Sequence, residues 1–225
     1  MASDILSGLN PAQRAAVEAY DSNSLIIAGA GSGKTRVLTS RIAYMIEQGV
    51  EPSRIIALTF TNKAANEMRE RIGSMVGDRS RYIFMGTFHS IFARILRTEA
   101  EHIGFPANYT IYDSNDAKSL IKTIIKERGL NDDKYKPNNI AARISMAKNG
   151  LITPGAYVAN TIYATEDRRA QIPEFGEIYV EYCRRCKQNG AMDFDDLLLQ
   201  TNILLRDCPD VLEKYQRQFQ YILVD

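Results

Sequence analysis

Lys34 and Thr35 close the run Ala28-Gly29-Ala30-Gly31-Ser32-Gly33-Lys34-Thr35, with Arg36 next in the chain. Spaced glycines let successive backbone N–H groups curl around an anion, and a helix that starts there adds its positive end. The Lys34 ammonium can reach the outer phosphates of a nucleotide, and the Thr35 hydroxyl can ligate Mg²⁺. Such a loop needs a strand before it and a helix after it. Ser24-Leu25-Ile26-Ile27 reads as a short buried strand, and Val37, Leu38, Ile42 and Met45 have helical spacing. A purely structural glycine turn would not need the Lys-Thr ending. Ala28 stands where the usual pattern has its first glycine.

Asp225 is the natural complement. It ends the apolar run Phe219 to Val224, which reads as a strand. A carboxylate at a strand tip beside a phosphate loop can hold the Mg²⁺ that bridges the outer phosphates. The stretch between Lys34 and Asp225 is longer than a simple nucleotide-binding core needs, so an insertion is expected. Two further strand ends carry small polar groups and an aromatic ring. Ile55 to Thr59 leads into Phe60-Thr61-Asn62-Lys63, and Tyr82 to Met85 leads into Gly86-Thr87-Phe88-His89-Ser90. Phe60 is either a stacking platform for a nucleobase or a core residue, and spacing alone favours the core. His89 could touch a phosphate or a base. Gln13 follows a helix start at Asn10-Pro11. Its amide could pair with an adenine edge or simply sit on a helix surface, and its spacing favours the surface.

The elements that must carry these groups point to an α/β fold. Continuous apolar strands followed by helices fit a parallel sheet covered on both faces, with ligands at the strands' C-terminal edge. From Gly104 the pattern changes. Helices are expected from 113 to 128, 137 to 148, a short one at 153–154 and a longer one from 173 to 188, with a polar, exposed stretch at 164–169. The expected organisation is therefore a nucleotide-binding domain of residues 1–112 and 191–225, with an all-helical insertion at 113–190. Asp193, Asp195 and Asp196 either favour a helix N-terminus or form a metal site.

Composition is that of an ordinary globular protein, 45% hydrophobic and 24% charged, with a net charge of +1. That charge gives no global pull toward nucleic acid, although residues 113–190 are basic and 191–225 acidic. No apolar run approaches the roughly 20 residues of a membrane span, and the first residues lack signal-peptide features, so a cytoplasmic protein is expected. Three cysteines do not make a disulfide framework. Cys183 and Cys186 lie one turn apart in a helical segment, and a zinc site would need four convergent ligands.

Taken together, these blocks resemble the superfamily 1 helicases of the UvrD/PcrA/Rep type. Leu9-Asn10-Pro11-Ala12-Gln13 resembles the family's adenine-reading motif, and Ala28 to Thr35 its phosphate loop, alanine included. Leu58 to Met68 and Gly86 to Ser90 resemble its single-strand DNA motifs. Asp193 to Leu198 resembles its Asp-Phe-Asp-Asp-Leu block, and Tyr221 to Asp225 the start of its Mg²⁺ motif. The resemblance implies a P-loop, RecA-like parallel sheet with helices on both faces, using ATP and Mg²⁺. It implies Gln13 and Ala28 to Arg36 at the nucleotide, Lys34 and Asp225 in catalysis, and Thr35 and Asp225 on the metal. It also implies Thr59 to Lys63 and Thr87 to Ser90 on single-stranded DNA. A family member unwinds duplex 3′ to 5′ at single-strand junctions, using a second RecA-like domain that supplies arginine fingers, and serves repair or replication proteins. A glutamate that positions water follows the Mg²⁺ motif in that family, and residues 1–225 stop at Asp225. Negligible ATP turnover by these residues alone is the expectation. A helicase–nuclease, or a non-catalytic module that binds nucleotide or single strands, would carry the same blocks.

Overall fold

The computed structural model describes residues 4–29, 31–131 and 133–225. The chain divides into two compact units, Met1–Ile91 with Glu213–Asp225, and Phe92–Leu212.

The first unit is built on three parallel strands. They are β1 (Ile55–Thr59), β2 (Phe84–Thr87) and β5 (Tyr221–Val224), in the order β2-β1-β5. Every residue of β1 is buried, as a central strand covered on both faces requires. On one face Ile55, Ala57, Met85 and Leu223 pack with Ile42, Met45 and Ile46 of α2 (Lys34–Glu47) and Met68, Ile72 and Val76 of α3 (Asn62–Val76). The helix α1 (Pro11–Glu18) lies against α2 through Val17 and Val37. Leu58 pairs with Val224 and Thr59 with Thr87, so Thr59, Thr87 and Asp225 finish at the same edge of the sheet. The Asp225 N–H donates to the Leu58 carbonyl at 3.0 Å and extends that ladder by one step.

Residues 24–27 do not form the strand their apolar character suggests. Leu25 and Ile27 are 87% and 89% exposed. A strand is defined by its ladder, and this segment has none. A cleft of about 490 Å³ is lined by residues 20–26 and by residues 220–225, which include β5. Strand β2 begins two residues later than the pattern indicates, because Ile83 still closes the turn from Ser80.

Helix α4 (Phe88–Glu99) leads from β2 into the second unit. That unit contains α5 (Ser114–Glu127), α6 (Pro137–Asn149), α7 (Pro154–Ala159), α8 (Thr161–Arg169), α9 (Phe175–Gln188) and α10 (Phe194–Asp207). It also holds a small parallel pair, β3 (Thr110–Tyr112) and β4 (Ala191–Asp193). Residues 113–190 are helical, but the compact body around them is wider than expected. It takes in 92–112 and 191–212 and includes this two-stranded sheet. Its core joins Ile121, Ile124 and Ile125 to Ile140, Ile144, Phe175, Ile178, Tyr179 and Tyr182. Helix α11 (Pro209–Gln218) then leads back to β5.

The segment 164–169 is also not a simple exposed stretch. It forms the end of α8, and Asp167 is buried. Asp167 Oδ1 accepts from Arg143 Nη2 at 2.5 Å and from the Tyr157 hydroxyl at 2.9 Å. A charge taken out of water needs such partners, and they lie 10 and 24 positions away in sequence. No helix among the described residues is long and apolar enough to cross a membrane.

Candidate nucleotide and nucleic-acid site

The phosphate loop is shaped by its glycines. Gly31 and Gly33 have φ of +76° and +87°, the left-handed region that L side chains disfavour. A Cβ at Gly29 or Gly31 would meet nothing within 4 Å, so there is open space beside both glycines. Ser32 closes the turn, its Oγ donating to the Gly29 carbonyl at 2.7 Å. Ala30 lies outside the described residues. Gly33 caps α2 with no side-chain bond, which leaves the first N–H groups of the helix available to a ligand.

Lys34 and Thr35 open that helix. Lys34 Nζ donates to the carbonyls of Ala28 and Gly29 at 3.0 and 2.8 Å, so the ammonium rests in its own loop. Thr35 Oγ1 donates to Asp225 Oδ2 at 3.0 Å. This contact joins two groups 190 positions apart. Lys34 and Asp225 line the cleft of about 490 Å³ beside β5. Arg36 lines a second cleft of about 460 Å³ with Ser7, Ser40 and Arg71. The donor set of open amides, one ammonium, one hydroxyl and one carboxylate suits a polyphosphate with a hard divalent cation.

Gln13 belongs to both the helix start and the loop. Asn10 Oδ1 accepts from the Gln13 N–H at 2.9 Å, and Gln13 Oε1 accepts from the Asn10 N–H at 3.0 Å. This reciprocal capping box satisfies two otherwise orphaned amides. Gln13 Nε2 donates to the Ser32 carbonyl at 3.0 Å. The amide thus lies against the phosphate loop and is more than a residue on a helix surface. It keeps one N–H and one lone pair for a further partner.

At the neighbouring strand ends, Phe60 is 75% exposed, so it is not a core residue. Its ring lies 5.3 Å from that of Phe88, tilted by 43°. The two rings follow the tips of β1 and β2 and meet because these strands end in register. Thr59 and Thr87 are buried at the strand tips. Thr87 Oγ1 accepts from the Ser90 N–H at 3.2 Å and Ser90 Oγ donates to the Thr87 carbonyl at 2.9 Å, which fixes the first turn of α4 and hence Phe88 and His89. Gly86 permits this turn, since a Cβ there would lie 2.5 Å from Ser90 Oγ. Thr61 caps α3, accepting from the Ala64 N–H at 3.1 Å. Asn62 and Lys63 are exposed in the first turn of α3, where a helix N-terminus attracts anions.

The acidic cluster at 193–196 has a different use from metal binding. Asp193 and Asp196 form a capping box at the start of α10. Lys148 Nζ, fully buried, donates to Asp193 Oδ2 at 2.7 Å and contacts Asp196 Oδ1 at 2.8 Å. The Tyr182 hydroxyl donates to the same Asp193 oxygen at 2.8 Å. A lysine ammonium therefore stands where a metal would have to stand. Asp195 points elsewhere, accepting from Asn149 Nδ2 at 3.0 Å. Burial pushes the Cys186 thiol up to about 12 and raises Cys183 as well, so neither is a ready thiolate ligand.

Two working residues escaped the motif reading. Lys148 follows Ile144 and Ala147 on the inward face of α6, and Arg41 sits between Leu38 and Met45 on the inward face of α2. In both, a charge on an apolar stripe was the available signal. A charge buried there must have partners.

A family model described as UvrD/REP helicase N-terminal domain matches residues 9–225. The chain is 46% identical over 228 residues to the ATP-dependent DNA helicase PcrA of Bacillus subtilis (strain 168), covering 100% of this chain and 30% of that protein. It is 45% identical to PcrA of Staphylococcus aureus (strain Mu50 / ATCC 700699), over 98% of this chain and 30% of that protein. It is also 45% identical to the ATP-dependent DNA helicase UvrD1 of Mycobacterium bovis, over 100% of this chain and 29% of that protein. The chain thus spans about 30% of the length of these curated relatives.

Proposed function

The chain belongs to the UvrD/REP helicase N-terminal domain family, and from that premise we propose that it is the ATP-binding and strand-gripping part of an ATP-dependent DNA helicase. One observation carries the reading. Three parallel strands end together at Thr59, Thr87 and Asp225, with Thr35 bonded to Asp225 and the Phe60–Phe88 pair at the same edge.

In this reading the loop amides from Gly29 to Thr35 cradle the phosphates, Lys34 neutralises the outer ones, and Gln13 pairs with adenine. Thr35 and Asp225 hold Mg²⁺, which when bound offsets the negative charge that builds on the phosphates. Phe60 and Phe88 stack on bases of single-stranded DNA, while Asn62, Lys63, His89 and Ser90 contact its backbone. ATP binding falls within residues 1–112 and 191–225, and contact with duplex at a junction within residues 113–190. Movement 3′ to 5′, a second RecA-like domain, a cytoplasmic setting, and repair or replication partners extend the same proposal. Residues 1–225 alone turn ATP over negligibly, because the family's arginine fingers, worth about 10³–10⁵ in rate, are not among them. DNA-stimulated turnover near that of a full-length helicase would overturn this point.

The strand-gripping part is tested by oligonucleotide fluorescence anisotropy. Base stacking on an aromatic ring is worth about 1–3 kcal/mol, so Phe60→Ala should weaken binding of a single strand by roughly fivefold to a hundredfold. Binding of the unaltered chain should also weaken as salt rises. Equal affinity in both proteins, unchanged by salt, would remove Phe60 and the phosphate contacts from the account.

A further inference from the structure

Arg41 makes a set of contacts that the nucleotide-site motifs do not use. It lies on α2, buried, two turns beyond Lys34. Its guanidinium reaches back to the end of α1 and the turn beyond it. Nη1 donates to the Ala16 carbonyl at 2.9 Å. Nη2 donates to the carbonyls of Ala19 at 2.9 Å and Ser22 at 3.2 Å, and to Ser24 Oγ at 3.4 Å. Ala16 and Ala19 carry carbonyls at the C-terminal end of α1, the groups a helix leaves unsatisfied. A cation there also complements the helix dipole.

The consequence reaches Gln13. Helix α1 is only eight residues long, too short to hold itself together in water. It is fixed at its N-terminal end by the Asn10–Gln13 capping box and at its C-terminal end by Arg41. Between these ends, Gln13 Nε2 meets the Ser32 carbonyl of the phosphate loop. Arg41 and the loop's Lys34 and Thr35 share one rigid helix, so Arg41 sets where α1 and its amide sit relative to the phosphates.

We propose that Arg41 is a positioning residue for base recognition, latching α1 to the phosphate-loop helix so that Gln13 is held at the base of a bound nucleotide. The proposal rests on the nucleotide-binding reading above and goes beyond it by separating base recognition from phosphate binding. The guanidinium bonds of Arg41 go to the end of α1 and the turn beyond it, so it acts through α1. Its loss should remove discrimination between bases and leave phosphate binding intact.

The test is a calorimetric titration of the full 225-residue chain with Mg·ATP, Mg·GTP and Mg·inorganic triphosphate. The proteins compared are the unaltered chain, Gln13→Ala, Arg41→Ala and Arg41→Lys, with thermal melting of each. The unaltered chain should prefer ATP over GTP by about tenfold, the worth of one or two hydrogen bonds. Arg41→Ala should bring that ratio to near one, as Gln13→Ala does, with triphosphate affinity within about twofold of the unaltered chain. Arg41→Lys, which keeps the charge and fewer of the bonds, should retain part of the preference. It carries the test if Arg41→Ala does not fold. A variant that keeps the full ATP preference overturns the role of Arg41. Equal loss of ATP, GTP and triphosphate binding also overturns it, because that is the mark of general damage to the loop. Failure of the unaltered chain to bind any of the three refutes the nucleotide reading itself, a result distinct from both.

Discussion

Lys34→Ala should lower ATP affinity by roughly tenfold to a hundredfold, the worth of a charge-assisted hydrogen bond to phosphate, while leaving the fold intact. Lys34 stands in the first turn of α2, exposed, and among the described residues its ammonium donates to two carbonyls of its own loop. A cation at a helix N-terminus opposes the helix dipole. The position is therefore unhelpful to the folded chain by itself and becomes favourable only when an anion joins it. Replacement by alanine, the best helix former, should leave the melting temperature unchanged or slightly raised. Calorimetric titration and thermal melting together read both halves of the prediction. A fall in melting temperature that parallels the fall in affinity would make Lys34 a structural residue.

Lys148→Met should act in the opposite way, costing about 3–5 kcal/mol of stability in the second unit by leaving two buried carboxylates without their cation. Burial works against the charge on Lys148, yet Asp196 and its neighbours outweigh it and hold its pKa well above the usual lysine value. Burial pushes the Asp196 carboxyl up to about 6 even with the ammonium at 2.8 Å. Burial also opposes ionisation of Asp193, but Lys148 and the hydrogen bond from Tyr182 hold that group below the usual range.

These shifts fix the sign of the pH dependence. The folded value of Asp196 lies above the unfolded one, so its contribution is fully present in acid below about pH 4 and is lost as pH rises through about 6. Asp193 contributes above about pH 4 and loses that contribution as pH falls through its lowered value. Without the ammonium both carboxyls move upward. The deficit of Lys148→Met relative to the unaltered chain should therefore widen from about pH 5 to pH 8 and shrink toward acid. Urea unfolding across that range measures it. Adding Asp196→Asn to Lys148→Met should recover part of the loss, since one buried charge is then removed. A deficit constant with pH would show packing, not charge, to be what Lys148 supplies.

The chemistry of the site was more legible than its surroundings. The Gly-Lys-Thr ending, the Asp at a strand tip and the polar strand ends are local signals, and the parallel register joins them at one edge. The apolar character of Leu25 and Ile27 does not make a strand, because hydrophobicity reports what a segment can bury, whereas strand formation needs a ladder partner elsewhere in the chain. Phe60 was ambiguous for a related reason, since only the register of β1 against β2 decides that its ring meets Phe88 in the open. Asp193 and Asp196 have the spacing of a capping box, but their cation comes from 45 residues earlier. Long-range pairs of this kind leave no local pattern beyond a charge on an apolar face. The same limit explains why the helical body extends past 113–190 into β3, β4 and α10.

The central claim is a single nucleotide–magnesium site with the phosphate loop as one wall and Asp225 as the other. Its most direct measurement is ATP affinity with and without Mg²⁺, in the unaltered chain and in Asp225→Ala. The Thr35–Asp225 hydrogen bond puts the two oxygen donors within 3.0 Å of each other. Mg²⁺ should therefore strengthen ATP binding to the unaltered chain by about tenfold or more. In Asp225→Ala the Mg²⁺-free affinity should stay the same and most of the Mg²⁺ increment should vanish. An unaltered chain indifferent to Mg²⁺, or an Asp225→Ala variant that keeps the full increment, would contradict the account.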